Sequence, residues 1–156
     1  AEMAHKARGT TTLLPSPAIL ERVETKRAIE SDRVVADVLV RARQCAAHLY
    51  SAGGGDAASV PVAGGHRGPA GVAGRVAEGA VGDVLGRYID ADGHIVDPEL
   101  DARTVGLTLD ELRGVPMGIA VLSGPEKHAA ASAIVGSGLC SVLITDEETA
   151  AHVLAT

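Results

Sequence analysis

Two apolar runs near the C-terminus, separated by an alanine-rich segment, form the clearest pattern of hydrophobic positions in the chain. The runs are MGIAVL (117–122) and CSVLIT (140–145), and each has the length of a buried strand. The segment between them, 125–135, has helical composition and carries Pro125 at the first helical position. A strand, a helix and a second strand of this kind predict a parallel pair with a right-handed crossover, hence an α/β fold. A further helix is expected over 146–154.

The first third of the chain predicts one strand, two helices and a second short strand. β-Branched residues in GTTTLLP (9–15) lead into Leu-Leu and stop at Pro15, which indicates a strand. Two helical stretches are expected over 16–48, the second with Asp32 as its N-cap. HLYSAGGG (48–55) is typical of a short strand that runs into a glycine cluster.

The composition changes at 53–74, where Gly, Ala and Pro dominate. Two interpretations stay open for this segment. One is a surface loop without a ligand. The other is a loop that folds over a ligand, because glycines let backbone N–H groups approach an anion.

Turn and capping residues predict a hairpin and a short helix in the middle of the chain. Segment 81–96 is typical of a strand, a tight turn and a returning strand, with Asp92-Gly93 as the turn. Thr108 and Glu111 have the spacing of a capping box, and Gly114 closes the short helix that follows.

The composition supports a sheet-based fold. The 156 residues fit one domain, and 46% of them are apolar, with no Phe and no Trp. Since Tyr50 and Tyr88 are the only aromatics, the core has to be built from aliphatic layers. Such layers suit a parallel sheet buried under helices.

Charge and cysteine content limit the function classes. A net charge of −6 argues against direct binding to nucleic acid or to an anionic membrane, and no apolar run approaches the roughly 18 residues of a membrane span. Cys45 and Cys140 are isolated in the sequence. We expect reduced, buried thiols in a cytoplasmic protein, with a disulfide or redox pair as the alternative.

Common metal and nucleotide motifs do not fit this sequence. DADG (90–93) resembles the opening of a calcium loop, but Ile95 stands where that loop requires glycine. The histidines form no zinc-binding pair, and no phosphate-loop or dinucleotide fingerprint is present. We therefore expect no metal site and no cofactor.

Lys127 is the most suggestive charged residue. It lies in the first turn of the predicted helix, where the helix dipole disfavours a cation. Ser123, Gly124 and Pro125 precede it at the carboxyl end of a strand, where ligands sit in open parallel sheets. Backbone N–H groups and the Lys127 ammonium could hold a phosphate there. The alternative is an ordinary solvated lysine.

Several motifs, in consistent order, resemble one protein family. Segments 80–116 (AVGDVLGRYIDADGHIV…) and 119–154 (IAVLSGPEKHAAASAIVGSG…) resemble the C-terminal part of sugar-binding transcriptional regulators of the SorC/DeoR type. TTTLLPSPAILE (10–21) and LYSAGGG (49–55) resemble two further stretches of the same family. The likeness runs from about residue 8 to 154.

The resemblance implies a parallel-sheet, Rossmann-like effector domain related to ribose-5-phosphate isomerase and glucosamine-6-phosphate deaminase. Such domains bind a phosphorylated sugar and form homo-oligomers. By the likeness, Asp83 accepts hydrogen bonds from sugar hydroxyls and Lys127 faces the phosphate. Gly53 and Gly124 shape the pocket walls.

The sequence also departs from the family pattern. The helix-turn-helix that precedes this domain and the opening strand with its phosphate loop are missing, so residues 1–156 are expected to be the C-terminal part of an effector-binding and oligomerisation domain. DNA would be bound only through the missing N-terminal part. Ala63 stands where the family often carries an arginine, and Arg67 is a candidate substitute for it. The alternative function is a small sugar-phosphate isomerase-like enzyme, for which Asp83 is the one candidate general base.

Overall fold

The computed structural model describes residues 2–54 and 78–156. The segment 53–74, with Ala63 and Arg67, therefore lies almost entirely outside the described residues. Within the described ranges the helices and strands follow one another as α1 Glu2–Lys6, α2 Val23–Ser31, α3 Arg33–Arg43, β1 His48–Tyr50, β2 Ala52–Gly54, β3 Gly82–Val84, β4 Arg87–Ile89, α4 Pro98–Asp101, α5 Leu109–Arg113, β5 Gly118–Val121, a 3₁₀ turn Pro125–Lys127, α6 His128–Gly136, β6 Val142–Ile144 and α7 Glu147–Ala155.

The central element is a parallel sheet in the order β1-β5-β6. Tyr50 lies beside Ala120, and Ala120 beside Leu143. These three face helices α6 and α7, where Ile134 is fully buried. The predicted parallel pair around one helix is thus confirmed, and with it the α/β fold.

A second sheet, antiparallel, has the order β2-β3-β4. It follows β1 directly, so the chain leaves the parallel sheet at Ser51 and enters the antiparallel one at Ala52. Helix α6 contacts both β2 and β3. The two sheets therefore meet at the start of α6.

The two faces of the parallel sheet are covered unequally. Strand alternation directs five aliphatic residues away from α6 and α7, and four of them are 39–57% exposed. We call them the open sheet face: Leu49, Ile119, Val121, Val142 and Ile144. Parallel sheets in folded proteins are normally buried on both sides, so this face is an unusual apolar surface.

Helix ends follow the sequence closely. Asp32 caps α3 by accepting a hydrogen bond from Val34 N at 2.9 Å, and Thr108 and Glu111 form the predicted capping box. The helix expected over 125–135 is present, but its first turn is a 3₁₀ turn and the α-helix begins at His128. The predicted helix over 146–154 is α7.

The strand predicted over 9–15 is wrong. Residues 9–15 adopt no regular structure. The first strand-like pairing after them is the isolated bridge between Ile19 and Thr104. Pro15 and Pro17 lack the backbone N–H that a strand needs, so pairing begins after them. The first of the two helices expected over 16–48 starts only at Val23, because residues 18–20 instead form backbone hydrogen bonds with residues 103–105.

The turn predicted at Asp92-Gly93 is present, but the two-stranded hairpin of segment 81–96 turns at a different, unpredicted place. Strands β3 and β4 are joined at Leu85-Gly86, which have φ of 53° and 79°. Asp92-Gly93 instead forms a second turn, closed by a single bridge from Ile89 to Ile95. Positive φ at both central residues is the signature of a hairpin turn whose twist matches the strands, and it overrides the usual residue preference.

The cysteines differ from expectation in burial. Both are free thiols, so the disulfide alternative is wrong. Cys45 is exposed and Cys140 is half-buried, whereas both were expected to be buried. Cys45 follows α3 in a turn, and its thiol donates to Arg41 O at 3.3 Å.

No helix in the described ranges combines the length and the apolar character needed to cross a bilayer.

The Leu85 turn generates a first prediction. A leucine at φ 53° is strained by roughly 1–2 kcal/mol, whereas asparagine tolerates this conformation. We expect Leu85→Asn to raise the free energy of unfolding by about 0.5–1 kcal/mol, measured by urea denaturation. Leu13→Asn, at a 74% exposed position outside helices and strands, is the control and should change little. A loss of stability in Leu85→Asn alone would contradict the strain argument.

Candidate functional site

The candidate site lies where the antiparallel sheet meets the turn before α6. Strand β2 supplies Gly53, which pairs with Asp83 of β3. The 3₁₀ turn contributes Lys127 and contacts β2. The structure therefore brings together Gly53, Asp83, Gly124 and Lys127, the four residues named from the sequence, on adjoining segments.

Lys127 reaches from the turn to the antiparallel sheet. Its Nζ donates a hydrogen bond to Ala52 O at 2.8 Å, and its backbone N donates to Gly124 O at 3.0 Å. The side chain is half-buried rather than freely solvated. An ammonium has three N–H donors, so this single side-chain hydrogen bond leaves two for a ligand. The unfavourable placement near a helix start is offset by the Ala52 carbonyl.

Asp83 is a buried carboxylate that is only partly satisfied. The residue is 6% exposed, and Oδ2 accepts a hydrogen bond from Gly86 N at 3.0 Å. Oδ1 is buried and has no hydrogen-bond partner among the described residues. An unmatched buried acceptor destabilises a fold, and it is expected where a ligand donates the missing hydrogen bond.

Burial raises the pKa of Asp83 above its ordinary value of 3.8. The hydrogen bond from Gly86 and the positive charge of Lys127 act in the opposite direction but are weaker. The carboxylate and the ammonium therefore influence each other electrostatically across the junction. The arrangement offers a cation for an anionic group and an acceptor for hydroxyl groups.

Glycine residues permit the close approach of the strands to the turn and to α6. A Cβ at Gly82 would lie 2.5 Å from Gly53 O and 2.8 Å from Ala130 Cβ. A Cβ at Gly54 would lie 2.8 Å from Glu126 O. Strands β2 and β3 can therefore touch the turn and α6 only because these positions are glycine.

Gly124 has a conformational role as well. Its φ is 106°, a conformation that favours glycine, and an added Cβ would lie 2.8 Å from both carboxylate oxygens of Glu126. Its N–H donates to Asp146 Oδ2 at 2.9 Å. Two groups of this site were missed by sequence reasoning: the Ala52 carbonyl, which has no sequence signature, and Asp146, which the helix-cap pattern DEET could have indicated.

The DADG turn holds the one group of three possible metal ligands found among the described residues. Oxygens of Asp90 and Asp92 and a ring nitrogen of His94 all lie within 4.8 Å of one another. Asp90 Oδ1 already accepts hydrogen bonds from Asp92 N at 2.9 Å and His94 N at 2.8 Å. This carboxylate therefore serves the turn, as the sequence indicated.

Comparisons with known proteins place the chain among sugar-binding domains. The family model described as "Putative sugar-binding domain" matches residues 1–155. The transcriptional regulator LsrR of Escherichia coli O139:H28 is 38% identical over 78 residues, which cover 49% of this chain and 25% of LsrR. LsrR of Enterobacter sp. (strain 638) is 43% identical over 79 residues, or 50% of this chain and 24% of that protein. The matched segment thus spans about a quarter of these regulators.

Solved structures share the fold. A DeoR family transcriptional regulator from Listeria monocytogenes matches with a TM-score of 0.90 and 22% identity, over 97% of this chain and 62% of that chain. The full-length sorbitol operon regulator SorC from Klebsiella pneumoniae matches with a TM-score of 0.85 and 21% identity, over 97% and 48%. The expected likeness to SorC/DeoR-type domains is thereby confirmed.

The raised pKa of Asp83 gives a pH prediction. Because folding favours the protonated carboxyl, its contribution to stability is present below its ordinary pKa and is lost as the pH rises through its folded pKa. We expect Asp83→Asn, which cannot ionise, to gain stability relative to the parent chain between pH 4 and pH 7. Thermal unfolding of both chains across this range measures the gain.

Asp90→Asn is the matched control, because its sign is opposite. A hydrogen bond from His94 N is the main cause that lowers the pKa of Asp90. Asp90→Asn should therefore lose stability relative to the parent only as the pH rises through the range below 3.8, and between pH 4 and pH 7 its difference from the parent should stay constant. Parallel pH profiles for the two variants would contradict the assignment of the Asp83 pKa to burial.

Proposed function

This chain belongs to the family of sugar-binding domains, and from that premise we propose that it senses a phosphorylated sugar on behalf of a transcriptional regulator. The observation that carries the proposal is that Lys127 and the buried Asp83 lie on adjoining segments, close enough for the lysine charge to act on the carboxylate. Lys127 offers spare N–H donors of its ammonium, and Asp83 offers an unmatched buried carboxylate oxygen. A sugar phosphate carries both complementary groups, an anion and hydroxyl donors.

In this proposal each site residue has a distinct part. Lys127 contacts the phosphate while it keeps, or exchanges, its hydrogen bond to Ala52 O. Asp83 Oδ1 accepts a hydrogen bond from a sugar hydroxyl, which offsets the cost of its burial. Gly53 and Gly124 form walls of backbone, against which a ligand can lie closely.

Regulation rather than catalysis is the function we propose. The matched LsrR proteins are transcriptional regulators. An isomerase-like enzyme would need a general base with a partner acid, and Asp83 is the one candidate named for the base. With a net charge of −6, we propose that this chain does not bind DNA itself and that another part of the regulator does so.

We also propose that the chain associates with further copies of itself. The open sheet face supports this, because burying its five aliphatic residues would be favourable at about 25 cal/mol per Å². A parallel sheet that is covered on one side needs an apolar layer on the other. A second copy can supply one.

Ligand binding is tested with Lys127→Met. We expect the sugar-phosphate affinity to fall by about 1.5–3 kcal/mol, or ten- to a hundredfold, because a charge-assisted contact is lost. The free energy of unfolding without ligand should change by less than about 1 kcal/mol, since loss of the Ala52 hydrogen bond and relief of the dipole repulsion offset each other. Calorimetric titration and thermal shift of the intact gene product measure both, with ribose 5-phosphate, glucosamine 6-phosphate and sorbitol 6-phosphate as probes.

Lys6→Met, at an exposed lysine of α1, is the control and should bind as the parent does. Equal binding by Lys127→Met and the control would refute the phosphate contact. If the parent protein converts one of these probes and Asp83→Asn does not, the enzyme is the correct function instead.

Association is tested by charging the open sheet face. We expect light scattering at tens of micromolar to give a dimer or larger species for the parent and a monomer for the double variant Val121→Lys, Ile144→Lys, because buried lysines are costly. Val34→Lys, 62% exposed on α3, is the control and should leave the size unchanged. A monomeric parent, or a folded double variant of unchanged size, would overturn the association.

A further inference from the structure

The turn that presents Lys127 is held at Gly124, the residue just before it, by a side chain from another element. Gly124 accepts a hydrogen bond from Lys127 N through its carbonyl oxygen, and its own N–H donates to Asp146 Oδ2 at 2.9 Å. We call residues 123–127 the site loop. Asp146 thus holds Gly124 near the start of the site loop, and Lys127 lies at the end of the same loop.

Asp146 is itself held rigidly. It is the N-cap of α7, where Oδ1 accepts from Thr149 N and Oδ2 accepts from Thr149 Oγ1, both at 2.8 Å. Thr149 is fully buried. With the bond from Gly124, the carboxylate receives three hydrogen bonds, and those from Thr149 are the main cause that lowers the pKa of Asp146 to about 2. The group is therefore charged over the whole range in which the protein would be assayed.

The hydrogen bonds of Asp146 serve two different ends. The bond to Thr149 N is that of an ordinary helix cap, for which serine serves about as well as aspartate. The bond to Gly124 N lies outside the helix and requires the second carboxylate oxygen. It secures a glycine in a conformation with φ of 106°, which the local sequence alone does not enforce.

We propose that Asp146 is a positioning residue of the sugar-phosphate site, which holds Gly124 and thereby keeps the site loop in the geometry that presents Lys127. The proposal rests on the proposed function and adds a residue that does not itself touch the ligand. It also couples the site to α7, since the carboxylate that begins the helix is the one that fixes the loop.

The test separates the loop bond from the cap bond. Asp146→Ser alone would leave the buried Thr149 hydroxyl without its hydrogen-bond acceptor. Both variants compared therefore carry Thr149→Val. In Thr149→Val the Gly124 bond and the cap remain. In Asp146→Ser with Thr149→Val, the serine oxygen caps α7 and the acceptor for Gly124 N is lost.

Amide hydrogen exchange in the intact gene product measures directly how firmly Gly124 is held. We expect the Gly124 amide to exchange roughly three- to tenfold faster in the double variant than in Thr149→Val, while the amides of α7 exchange alike in both. Equal exchange at Gly124 would overturn the proposal. Faster exchange throughout α7 would also overturn it, because the residue would then be only a cap.

The affinity for the sugar-phosphate probes measures whether loss of the Gly124 hydrogen bond weakens ligand binding. We expect the double variant to bind ribose 5-phosphate, glucosamine 6-phosphate or sorbitol 6-phosphate roughly three- to tenfold more weakly than Thr149→Val, at matched thermal stability. Equal affinity would refute the positioning role while leaving the proposed function intact. If the parent protein binds none of the probes, the proposed function fails, and Gly124 exchange alone then decides whether Asp146 holds the loop.

Discussion

The site depends on how closely two strands approach the start of a helix. Strands β2 and β3 lie against the turn and α6 with backbone atoms where side chains would otherwise stand, and Gly82 leaves only 2.5 Å between a would-be Cβ and Gly53 O. This contact brings the Lys127 ammonium within 2.8 Å of Ala52 O and lets its charge act on Asp83. If the two sheets were held further apart, the cation and the carboxylate would belong to separate surfaces.

Much of the fold could be predicted from local pattern, because its signals are local. The parallel pair around α6 follows from two apolar runs and an alanine-rich helix, and the caps at Asp32 and Thr108 follow from residue type and spacing. The two errors have different causes. Pro15 and Pro17 delay strand pairing until Ile19, and the hairpin turn at Leu85-Gly86 was missed because leucine is an unusual residue at positive φ.

The candidate site was less accessible to sequence reasoning. Lys127 and Gly124 could be named from their place at a strand end, whereas Asp83 and Gly53 were named through family resemblance. The Ala52 carbonyl is a backbone group and leaves no trace in the sequence, and Asp146 approaches Gly124 only when β5 and β6 lie side by side. The unmatched Oδ1 of Asp83 is likewise a property of the folded environment, since burial and the Gly86 bond decide what remains free.

A wall of main-chain atoms has a consequence for how a site of this kind can diversify. At Gly82 and Gly54 any substitution adds atoms to space that is already occupied, so these positions are closed to change whatever the ligand. A backbone carbonyl such as that of Ala52 has the same chemistry in every residue type. If the junction binds a sugar phosphate as proposed, differences in sugar preference would have to come from side chains at its margin rather than from this backbone wall.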